Sequence, residues 1–132
     1  MSERIKEELE LLRHNYSNIE YIEPGQWVKI RDYPIPAGLP WNRQATHVCF
    51  QVPPGYPGVP PYGFYVPAGI LFDGNPPNSY TEPSQNKPPF EGMWGMFSWS
   101  VDSTWLPKAE LRAGSNLLNF ARTFKDRFLE GR

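Results

Sequence analysis

Apolar residues in the first sixteen positions fall at helical spacing: Ile5, Leu9, Leu12 and Tyr16 stand at i, i+4, i+7 and i+11, and Arg4, Lys6, Glu7 and Glu10 occupy the other face. Ser2 is placed to cap the free N–H groups of the opening turn, and Glu3 suits the positive end of the dipole. A second helical stripe lies near the other end: Leu117, Ala121, Phe124 and Phe128, widened by Leu118 and Phe120. Gly114-Ser115 opens that run and Gly131 closes it. So wide an apolar face needs a broad partner surface. Short branched or aromatic runs supply one: Ile19 to Glu23, Gln26 to Asp32, Thr46 to Val52 and Tyr62 to Val66 read as strands, with Pro24-Gly25 as a tight hairpin turn. Strand alternation sends Val48, Phe50 and Val52 toward the helices and His47, Cys49 and Gln51 the other way. Residues 67–97 keep no clean period and are rich in Gly, Pro, Asn and Ser. A segment of that length without regular structure is expected to be functional.

The pattern predicts one α+β domain over residues 1–132: an N-terminal helix, a four-stranded antiparallel meander, a long irregular loop and C-terminal helices on the same sheet face. Proline placement agrees, since all 16 prolines lie between Pro24 and Pro107 and leave both ends free to be helical. With 39% hydrophobic and 15% aromatic residues the chain carries too much large apolar surface for disorder. A single cysteine excludes an internal disulfide, and the spacing of the two histidines and Cys49 offers no zinc pattern, so neither metal nor cofactor is expected. Thirteen basic residues against 14 acidic, with no basic stripe, argue against nucleic acid. The charged amphipathic start and the lack of a long apolar run argue against a membrane span and for a cytoplasmic location.

One local motif is more specific: Phe50-Gln51-Val52-Pro53-Pro54-Gly55-Tyr56-Pro57-Gly58-Val59-Pro60-Pro61. The prolines fix φ and remove donors, which makes a stiff connection across a sheet end, and Tyr56 can pack over it with its hydroxyl still bonded. Taken alone, such a run also suits a polyproline ligand of an SH3 or WW domain, but the flanking strands and glycines interrupt any long polyproline helix. The run resembles the strand-to-strand connection of ubiquitin-conjugating (UBC) enzymes, and Trp105-Leu106-Pro107 resembles their Trp-x-Pro segment. Within that superfamily the chain is most similar to the bacterial UBC-like proteins called prokaryotic family E. The resemblance covers nearly the whole chain. It implies a UBC-like fold and two partners, a ubiquitin-like modifier and an adenylating activating enzyme.

The resemblance also implies a catalytic cysteine ahead of Trp-x-Pro, and there is none. Spacing back from Trp105 places Ser98 nearest that position, with Asp102 as the closest carboxylate and Asn86 or Asn78 in place of the family's oxyanion-stabilising asparagine. A serine hydroxyl is a far weaker nucleophile than a thiolate and needs an adjacent base or a strongly activated donor. Ser98 is therefore either an acyl acceptor or the remnant of a lost cysteine in an inactive relative. Cys49, mid-strand with only His47 as a cationic neighbour, reads as a small apolar filler on the sheet's outer face. Trp94, Phe97, Trp99 and Trp105 read first as packing residues and second as a binding platform. Three functions follow: a transferase that carries the modifier on a serine oxyester, a non-catalytic adaptor for the modifier or its activating enzyme, and a stand-alone module for proline-rich or aromatic ligands.

Overall fold

The computed structural model describes residues 2–132. Helix α1, Glu3–Asn15, begins where Ser2 Oγ accepts the Ile5 amide at 3.1 Å, and its buried side chains are Ile5, Leu9 and Leu12 of the expected stripe together with Glu8. Strands β1 (Ile19–Ile22), β2 (Trp27–Pro34), β3 (Ala45–Gln51), β4 (Phe64–Pro67), β5 (Tyr80–Thr81) and β6 (Trp94–Phe97) form one antiparallel sheet in the order β1-β2-β3-β4-β6-β5. The β1–β2 turn is the Pro24-Gly25 hairpin: Gln26 N–H donates to Glu23 O at 2.9 Å, and Gly25 holds φ at 81°, where a side chain is strained. A register shift between Ile30 and Tyr33, with Asp32 at φ 53°, bulges β2 before it rejoins β3.

The sheet has two strands more than the expected meander, both drawn from the stretch expected to be irregular. Strand β6 returns antiparallel beside β4, pairing Phe64 with Phe97 and Pro67 with Trp94, and β5 covers its outer edge. Residues 94–97 are too short to show a period, and Gly95 weakens the strand signal; pairing with β4 decides the outcome. Gly95 also has a steric reason. Any Cβ there runs into the Tyr80 ring, which lies across β6 and packs on Phe97 at 4.9 Å between centroids.

The C-terminal helix is also revised in detail. It starts one residue later than expected, at Asn116, whose side chain accepts the Asn119 amide while the Asn119 side chain accepts the Asn116 amide. Helix α2 (Leu117–Arg122) then passes into α3 (Phe124–Glu130) through Thr123, whose hydroxyl donates to Phe120 O at 2.6 Å and accepts the Trp99 indole N–H at 2.9 Å. A side chain inserted into the helical ladder in this way interrupts it. Gly131, at φ 82°, ends α3 as expected.

Both helical ends of the chain pack on one sheet face. Val48, Phe50 and Val52 lie in that core with Ile5, Leu9, Leu12, Phe64, Phe97, Phe120, Phe124 and Phe128, and the Phe64 and Phe124 rings stack at 4.1 Å. Each fully buried phenylalanine contributes about 1.5–3 kcal/mol of transfer free energy. The opposite face carries a second apolar layer that the sequence reading did not anticipate: Trp27, Cys49, Tyr65, Phe90 and Trp94, with Lys29 Nζ 5.2 Å from the Phe90 centroid. The long loop thus folds back over the sheet. Among the described residues no helix is long and apolar enough to cross a membrane.

Candidate functional site

Ser98 follows directly on β6, and its amide donates to Ser79 O at 2.9 Å. Its side chain is exposed, and among the described residues the hydroxyl makes no hydrogen bond. The chain then turns inward at Trp99, whose carbonyl accepts the Gly63 amide at 2.7 Å, and Val101 is buried. Asp102 opens a short 3₁₀ turn, Asp102–Thr104, with its amide donating to Ser100 Oγ at 3.2 Å and its carboxylate exposed.

Trp105 next joins the two motifs that carry the resemblance. Its indole N–H donates to Pro57 O at 2.7 Å, and its ring packs on Tyr56 at 5.9 Å. The Tyr56 hydroxyl in turn donates to Glu8 Oε1. Burial pushes the Tyr56 phenol well above its ordinary range, and the Glu8 carboxylate pushes it further, so the hydroxyl stays protonated as a donor. Glu8 is fully buried and also accepts the Leu117 amide at 2.6 Å and Arg4 Nε at 2.7 Å. One carboxylate therefore ties α1, the proline-rich connection and the start of α2 together.

The three residues expected to act together are not joined: no hydrogen bond links any two of Ser98, Asp102 and Asn86 among the described residues. Asn86 sits over the second apolar layer, where its amide donates to Gln51 Oε1 at 3.1 Å and Tyr65 Oη at 3.3 Å. The other candidate, Asn78, precedes the Ser79 that pairs with Ser98, and its own carbonyl accepts Arg127 Nη2 at 2.8 Å.

Cys49 is completely buried beneath Trp27, Tyr65, Phe90 and Trp94, so it fills a covered layer rather than an open outer face. Desolvation drives its thiol pKa far up, against a small opposing pull from Lys29, which leaves it an inert thiol. His47 serves the β2 bulge instead: its Nδ1 accepts the Asp32 amide at 3.2 Å. Sequence reasoning missed Glu8, which sits among charged neighbours with nothing to separate it from a solvated face. The one available signal was its place four residues before Leu12 on the border of the apolar stripe.

Comparison with family models, with curated proteins and with solved structures finds no match to this chain. The site must be interpreted from its own geometry. It offers an exposed hydroxyl with no base bonded to it among the described residues, a deeply buried thiol, and a hydrogen-bonded joint between Tyr56-Pro57 and Trp105. Exposed apolar side chains flank that joint in sequence: Val59, Tyr62 and Leu106, the last 68% exposed.

Proposed function

We propose that this chain is a UBC-like protein of a ubiquitin-like modifier system that works as a non-catalytic adaptor, holding the modifier or its activating enzyme rather than carrying the modifier as an acyl intermediate. The observation that carries the adaptor reading is the state of the candidate nucleophiles. The Cys49 thiol is buried and kept protonated, and among the described residues no base or oxyanion donor is bonded to the Ser98 hydroxyl. A thioester needs an accessible thiolate, and a serine needs activation. The UBC-like part of the reading is supported by the packing of the Pro-Pro-Gly-Tyr-Pro run on Trp105, the segments that carry the resemblance.

A second reading keeps Ser98 as an acyl acceptor, favoured by its exposure at the end of β6. One experiment separates the two. The protein is incubated with a ubiquitin-like modifier, its adenylating enzyme and ATP, and intact mass is recorded beside a pull-down of each component. The adaptor reading expects complex formation with no mass increase. A covalent adduct that resists thiol reductant, hydrolyses in mild base and disappears in Ser98→Ala establishes the oxyester. Absence of both complex and adduct refutes the placement in a modifier system.

A further inference from the structure

A groove of about 460 Å³ runs between the second half of α1 and the segment from Arg112 to Arg122, with Leu11 and Leu118 in its apolar lining. Its charged lining is entirely cationic. Arg112 and Arg122 border it beside the His14 ring, with no Asp or Glu, in a chain whose net charge is −1.

The hydrogen bonds around the groove leave it rich in donors. Three asparagines line it, and each amide oxygen is already engaged: Asn15 Oδ1 accepts Arg122 Nη2 at 3.1 Å, Asn116 Oδ1 accepts the Asn119 amide at 2.9 Å, and Asn119 Oδ1 accepts the Asn116 amide at 3.1 Å. Asn15 and Asn116 also each donate one side-chain N–H, to Leu11 O and Leu111 O. Among the described residues the Asn119 side-chain nitrogen, the remaining Arg122 N–H groups and the whole Arg112 guanidinium make no hydrogen bond. His14 Nδ1 lies 2.7 Å from Glu10 O and donates there. Unspent donors of this kind, two of them guanidinium forks, match the oxygens of carboxylates.

The adjoining surface selects the kind of ligand. A second groove of about 220 Å³ shares Leu11, His14 and Arg112 with the first and is lined by Glu7, Glu10 and Glu110. A compact polyanion placed across the junction meets these carboxylates, whereas an extended chain can put acidic residues on one side and a basic residue on the other.

We propose that this double groove binds an extended peptide segment of a partner protein, with two carboxylates seated on Arg112 and Arg122 and a basic residue beside Glu7 and Glu110. Neither groove contains Ser98, Tyr56 or Trp105, so the inference holds or fails apart from the modifier reading.

The test uses the ¹⁵N-labelled full chain titrated with blocked hexapeptides Lys-Lys-Gly-Gly-Glu-Glu and Glu-Glu-Gly-Gly-Lys-Lys, with Gln-Gln-Gly-Gly-Gln-Gln and inorganic phosphate at matched ionic strength as comparisons. The expected result is saturable shifts of amides in residues 11–15 and 110–122 with one charged peptide, and none with the glutamine peptide. Arg112→Gln combined with Arg122→Gln should weaken that binding about ten-fold. Both arginines are exposed, so the fold should survive; if it does not, Asn119→Asp, which puts a carboxylate at the groove, should weaken binding in the same way. Binding unchanged within two-fold in these variants, shifts located elsewhere, or phosphate binding as tightly as the better peptide overturns the proposal.

Discussion

Replacing Glu8 by alanine removes an acceptor shared by three parts of the fold. The Leu117 amide and the Tyr56 hydroxyl lose their partner in a site closed to water, while Arg4, whose side chain is 20% exposed, can be rehydrated. Each orphaned buried donor costs about 1–3 kcal/mol, and deletion of one member of a buried charged network costs about 3–5 kcal/mol, so a loss of about 4 kcal/mol is expected. With a urea m-value of about 2 kcal/mol/M for a domain of this size, the unfolding midpoint should fall by about 2 M. Glu8→Gln keeps one oxygen for both donors and sets an amide against Arg4, so its loss should be about half as large. Tyr56→Phe should cost about 1 kcal/mol alone and much less when Glu8 is already alanine, since the two act on one bond. Urea unfolding followed by tryptophan fluorescence and by circular dichroism measures all four variants. A midpoint shift under about 0.5 M for Glu8→Ala, or strict additivity with Tyr56→Phe, refutes the account of Glu8 as the tie between these elements.

Gly95→Ala should displace Tyr80 from β6 and cost about 1–3 kcal/mol, visible as faster proteolysis within residues 68–93. Cys49 should resist a thiol reagent in the native protein and react once per chain in denaturant, and Cys49→Ser should be less stable than Cys49→Ala because it buries a hydroxyl, by about 1–2 kcal/mol. Arg127, buried with bonds to Gly131 O and Asn78 O and packed on Phe97 at 4.7 Å, should cost about 2–4 kcal/mol when changed to Ala, and Lys should not restore it because one nitrogen cannot stand in for the separate Nη1 and Nη2 that reach the two carbonyls. Thermal unfolding of Arg127→Ala and Arg127→Lys side by side checks it.

The parts legible in the sequence are those where local chemistry and tertiary packing agree. Val48, Phe50 and Val52 alternate with His47, Cys49 and Gln51 because one face of β3 meets the helices, and Ser2 and Pro24-Gly25 act through their own backbone. Strands β5 and β6 were hidden because two and four residues cannot display a period, and their pairing is settled by β4 and by Tyr80 lying over Gly95. The second apolar layer was hidden for the same reason: Phe90 and Trp94 reach Trp27 and Tyr65 only after the loop folds back. At the candidate site, spacing back from Trp105 picks out Ser98 as a loop residue, and the structure has it follow directly on β6, whereas residue type alone picks out Asn86. Its position over Gln51 and Tyr65 follows from the path of that loop.

The pairing of the chain's first and last helices over one sheet face also sets an order of events during synthesis. Phe50, Phe64 and Phe97 are made well before Phe120, Phe124 and Phe128, so the part of the sheet face that α2 and α3 cover, beside α1, stays open until they have left the ribosome. A translation arrest before Leu117 therefore yields a chain with a bare aromatic surface, the kind of intermediate that associates with itself or is held by a chaperone. Folding that waits on contacts between sequence-distant segments is slow relative to a local helical bundle. Expression at lower temperature, which slows synthesis and association together, should raise the recovered yield of the full chain more than that of a protein whose core closes from neighbouring segments.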